Sequence, residues 1–65
     1  MTLETRRNGV CACLLDGLRD RAIASALGIE HRMVRDDVRA LRKRFEAQSR
    51  GELARLLGAL LRAEA

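Results

Sequence analysis

Sixty-five residues are expected to form one domain, 1–65. A chain this short buries only about 60% of its unfolded surface, so its core needs help from disulfides, a metal or a partner chain. The formal charge is +4, proline, tryptophan and tyrosine are absent, and Phe45 is the one aromatic. That balance suits nucleic acid or an anionic surface, and the Ala, Leu and Arg content suits helices.

The first predicted helix runs from about 6 to 15, with Thr5 as N-cap, Val10, Cys11, Cys13 and Leu14 as its apolar stripe, and Gly17 closing it. The second, about 20–27, puts Ile23, Ala24 and Leu27 on one face; Gly28 ends it and Ile29 turns back toward the core. The third, about 31–45, carries Val34, Val38, Leu41 and Phe45 at the i, i+4, i+7, i+11 spacing of a single helix face. The fourth, about 50–63, opens on Ser49-Arg50-Gly51-Glu52, a capping box, and continues with Leu53, Leu56, Leu57, Leu60 and Leu61. The expected fold is all-α with four helices. No secretory leader and no apolar run near the roughly 20 residues of a membrane span is visible, which points to a cytoplasmic protein with reduced thiols.

The stretch Ile23-Ala24-Ser25-Ala26-Leu27-Gly28-Ile29, followed by Val34, predicts two helices crossing at a tight corner. Ala24 is small where backbones would approach. Gly28 can take positive φ without a Cβ clash. Leu27, Ile29 and Val34 fill the corner from inside.

These residues resemble the LuxR-type (GerE-like) helix-turn-helix domain over most of the chain. Leu3, Arg6 and Val10 match the opening of that pattern, and Gly17-Leu18 matches the glycine-hydrophobic pair before its second helix. Ile23, Ala24, Leu27, Gly28 and Ile29 match its central motif. Val34-Arg35, Arg44-Phe45 and Arg50 follow at unchanged spacing. Region 4 of sigma factors is similar to the middle of the chain, but the segment from Arg50 to Leu57 favours the LuxR type. The chain departs from the pattern at Arg7 (usually glutamate), at Arg19 and Glu30 (usually serines), at Met33 (usually threonine) and at Asp37 (usually histidine). Asp37 is expected to set a negative charge near a DNA backbone. The resemblance implies a helix-turn-helix whose third helix reads DNA and whose last helix dimerises.

On the third helix, the face opposite Val34, Val38 and Leu41 carries a cationic row suited to the major groove. His31, Arg32, Arg35, Asp36 and Arg39 are the candidates for base edges, with Asp36 expected to hold Arg32 and Arg39 as helix neighbours. Arg42, Lys43 and Arg44, with Arg19 and Arg21 from the second helix, are the candidates for phosphates. Leu53, Leu56, Leu57, Leu60 and Leu61 are the candidates for a homodimer interface; Leu60 and Leu61 lie beyond the reach of a monomer core.

Cys11 and Cys13, two apart on a helix, are expected to be small core hydrophobes, and with His31 they fall short of a zinc set. No nucleophile–base pair, paired carboxylates or phosphate-cradling loop is present, so neither an enzyme nor a cofactor is expected. Function is therefore read as a bacterial-type, nucleoid-associated, sequence-specific regulator that binds double-stranded DNA as a homodimer. The alternative is a protein-interaction module that pairs with a related regulator or contacts RNA polymerase or a sigma factor without reading DNA; Asp36 and Asp37 favour it. A membrane-surface helix would rest on Arg55 and Arg62 alone.

Overall fold

A computed structural model describes residues 1–64. Four helices follow in chain order: α1 (Leu3–Leu15), α2 (Asp20–Leu27), α3 (His31–Arg44) and α4 (Arg50–Glu64), with no strand among the described residues. The body measures 30 × 24 × 20 Å. Helix α1 packs on each of the other three. Among the described residues no helix is long and apolar enough to cross a membrane.

Helix α1 starts earlier than the sequence predicts. Thr2, not Thr5, is the N-cap: its hydroxyl oxygen accepts from the Thr5 amide at 3.1 Å. Both threonines carry the capping chemistry, and the outer one adds a turn with Glu4 in it, where a carboxylate suits the positive end of the helix dipole. The added turn places Arg6 and Arg7 in the second turn of the helix rather than at its start, and this matters below.

Three helices end by the same device. The amide just after a residue of positive φ bonds back to a carbonyl five residues earlier. At the end of α1 Leu18 donates to Cys13 at 3.0 Å around Gly17, and at the end of α2 Ile29 donates to Ala24 at 3.0 Å around Gly28 (φ +66°). At the end of α3 Ala47 donates to Arg42 at 2.8 Å, but Glu46 (φ 54°) stands where the others have glycine. Phe45 is thus a cap residue, one short of the predicted helix end. Helix α4 opens as its capping box predicts on the serine side, with the Glu52 amide donating to Ser49 Oγ at 3.1 Å.

Every helix contributes to one core. Val10 and Leu14 from α1 meet Ile23 and Ala24 from α2, Val34, Val38 and Leu41 from α3, and Leu53 and Leu57 from α4. Gly9 lets α1 and α2 approach: a Cβ there would stand 3.0 Å from a Leu27 methyl. Cys11 and Cys13 are only half-buried, at the margin of the core rather than inside it as expected, and burial pushes the Cys11 thiol up. The spacing explains it: Val10 and Leu14 lie one turn apart on the inner line, and the cysteines flank that line.

Candidate nucleic-acid interface

The core fixes which way α3 faces. Val34, Val38 and Leu41 are buried, so the opposite line of Arg32, Arg35, Asp36, Arg39 and Lys43, one turn apart in sequence, is turned to solvent, and all five are exposed. Of these, none takes part in an ion pair within 4.0 Å among the described residues. Asp36 therefore does not hold Arg32 and Arg39, contrary to expectation; all three side chains extend into water, where an i, i+3 or i, i+4 pair is worth only about 0.2–0.5 kcal/mol. His31, at the start of the helix, is exposed, with Nε2 4.0 Å from Asp20 Oδ2.

The candidate phosphate contacts divide into three groups. Arg19, Arg21 and Lys43 are exposed and reach outward. Arg42 is half-buried: its Nη2 donates to the Gln48 carbonyl at 2.5 Å, and its Nε has no partner among the described residues. With Arg39 and Lys43 it borders a shallow hollow of about 320 Å³. Arg44 is exposed but lies on the α1 flank of α3, lining an apolar groove rather than joining the outward row. Neither Arg19 before α2 nor Glu30 before α3 makes a side-chain cap, so both helix starts lack that partner at the positive end of the dipole.

Asp37 corrects the sequence reading most sharply. It is fully buried, 0% exposed, and cannot lie against a DNA backbone. Its carboxylate accepts two parallel bonds from the Arg6 guanidinium, Nε to Oδ2 at 2.6 Å and Nη2 to Oδ1 at 2.7 Å, and a third from Arg7 Nε at 3.3 Å. The Arg6 hydrogen bonds, with help from Arg7, hold the carboxyl below the ordinary carboxylate range, and Asp37 in turn raises Arg6. Neither arginine had been given a part in the site. The signal was in the spacing: Asp37 lies three residues after Val34 and four before Leu41, on the inner line, and a buried charge requires a partner. The residue that supplies it sits 31 positions away, beyond any local pattern.

A second polar tie joins the ends of three elements. Arg50, at the start of α4, bonds the Asp20 carboxylate and the Leu18 carbonyl, the latter at 2.7 Å, so α4 is anchored to the turn that leads into α2.

The five leucines offered for a partner split. Leu53 and Leu57 are spent on the protein's own core, and Leu56 is half-buried against it. Leu60 (46% exposed) and Leu61 (58%) continue the stripe past the core. With Leu3 and Leu15 from α1, Leu41 from α3 and Phe45 just past its end, they line an open groove of about 720 Å³. Among the described residues no three His, Cys, Asp or Glu side chains gather as metal ligands.

Comparisons with protein-family models, with curated proteins and with solved structures return no match to this chain.

Proposed function

We propose that the chain is a sequence-specific, double-stranded DNA-binding transcriptional regulator that works as a homodimer. In this reading α2 and α3 form a helix-turn-helix of LuxR type, and α3 lies in the major groove. One observation carries it: the solvent side of α3 is a row of unpaired cationic side chains on a helix whose other side is locked into the core. His31, Arg32, Arg35, Asp36 and Arg39 face base edges, where an arginine forked onto guanine gives about 1–3 kcal/mol of discrimination. Arg19, Arg21, Lys43 and the exposed part of Arg42 meet phosphates, together with the uncapped starts of α2 and α3. Arg44 reaches a phosphate only by leaving the groove it lines.

Two departures from the LuxR pattern also support the reading, because they answer each other. Arg7 replaces the usual glutamate, Asp37 replaces the usual histidine, and the two side chains bond at 3.3 Å. An exchange at one place is matched at the other. Leu60, Leu61 and the exposed edge of Leu56 form the dimer contact, with Leu53 and Leu57 bracing the helix behind them. The protein acts in the cytoplasm on the nucleoid, without cofactor or catalysis.

Selection of bound duplexes from a random pool tests this reading. Expected are sites with two-fold symmetry and half-sites about one helical turn, 10–10.5 bp, apart. Sites without symmetry contradict the homodimer, and an unenriched pool contradicts sequence reading altogether. The open groove favours a second reading, a module that docks on a related regulator or RNA polymerase; this one expects no enrichment at all, with the groove leucines essential for capture of the partner.

A further inference from the structure

We infer that the buried Asp37 carboxylate, gripped from α1 by Arg6 and Arg7, is a positioning residue: it sets the rotation of α3 about its own axis and so aims the outward cationic row. The inference rests on the DNA-binding reading of that row. Apolar contacts are non-directional, so Val34, Val38 and Leu41 decide which side of α3 faces inward without fixing its roll closely. An arginine forked onto a carboxylate is directional, and its two bonds here, 2.6 and 2.7 Å, admit one orientation. Asp37 stands one residue from Asp36 and two from Arg35 and Arg39, in the middle of the row it would aim.

The scale of the effect is set by the helix itself. Side chains reach about 5–6 Å from the axis, so a roll of about 10° moves them by about 1 Å. Phosphate contacts follow such a shift because they are electrostatic and adaptable; a two-pronged base contact does not. Stability alone does not call for this cluster. An apolar residue between Val34 and Leu41 would fill the same place, and replacing buried ion pairs by apolar residues is often neutral or stabilising. Directionality is what the charges add.

The test is Arg6→Lys, which keeps the net charge and one bond to Asp37 but removes the fork. Affinity is measured for a selected duplex and for a mixed duplex pool. Expected is a fall in the ratio of the two by about tenfold, through weaker binding to the selected site, with mixed-pool binding within about twofold of the parent. A merely structural role lowers both affinities by the same folded fraction and leaves the ratio unchanged, and that result in a folded variant overturns the inference. Asp37→Asn, close in shape, serves in the same assay where Arg6→Lys does not fold. A DNA-free arm separates this claim from the functional reading. In amide NMR spectra Arg6→Lys is expected to move resonances along the whole of α3, out to residues 32 and 43, whereas shifts confined to within two residues of positions 6 and 37 overturn the inference. Failure of the parent chain to retain any duplex strikes the functional reading alone.

Discussion

On the inner side of α3 Asp37 has no exposed surface and holds two arginines of α1; one residue earlier, on the outer side, Asp36 stands in water beside Arg32, Arg35 and Arg39 and pairs with none of them. The residue types are the same and the geometry differs. Removed from water, a carboxylate must be answered by directed donors, so charges inside become rigid structure. Left in water, the same charges gain little from each other, remain mobile and stay available to a ligand. The position of a charge on the helix, not its sign, decides which role it takes.

Substitutions on the two sides should therefore differ in kind. Leu53→Ala, in the centre of the core, should cost about 2–5 kcal/mol by denaturant unfolding, enough to unfold most of a domain this small. Leu61→Ala, on the same helix but exposed, should leave the monomer within about 0.5 kcal/mol and shift only the association equilibrium, read by sedimentation. Asp37→Ala should cost about 1.5–3 kcal/mol because it removes the acceptor that Arg6 and Arg7 share, and Asp36→Ala should cost almost nothing. Equal losses at the two aspartates would erase the distinction.

Acid should separate them as well. The folded-state pKa of Asp37 is depressed, so its contribution is fully present above the ordinary carboxylate pKa, about 3.9, and is lost as pH falls through the folded-state value. Unfolding free energy of the parent should thus drop below about pH 4 more steeply than that of Asp37→Asn. Parallel curves would mean that Arg6 and Arg7 do not hold the carboxylate in solution.

Smaller effects belong to the helix ends. Gly28→Ala, at φ +66°, should cost about 1 kcal/mol, and Glu46→Gly, at φ 54° in the matching place after α3, should gain about 0.5–1 kcal/mol, both by thermal melts. Smallest of all, Asp36→Asn should leave the fold unchanged and tighten duplex binding about twofold at low salt, since it removes one negative charge from the outward row.

Much of this was written in local sequence. Periodicity placed all four helices, Gly28 marked the corner, and Ser49 with Glu52 marked the start of α4, because caps and stripes act over three or four residues. Asp37 was equally legible in position, on the line of Val34 and Leu41, yet its charge suggested an outward role; the partner that reverses that reading belongs to another helix. The start of α1 fell between two threonines with the same capping chemistry, and the cap after α3 uses a glutamate where local rules look for glycine. Arg44 and Arg42 looked equivalent to Lys43 in sequence, and only packing separates one that lines the groove from one tied to Gln48. Tertiary partners are what a local reading cannot supply.

The binding face is best tested by a salt titration of mixed-duplex binding, comparing the parent with Arg19→Gln/Arg21→Gln/Lys43→Gln, which removes the three exposed cations assigned to phosphates. For the parent, log affinity should fall linearly with log salt at a slope of roughly −4 to −8, and the triple variant should be shallower by roughly 2–3. Identical slopes in the two proteins, or no duplex retained by the parent at about 50 mM salt, would contradict nucleic-acid binding by this face of α2 and α3.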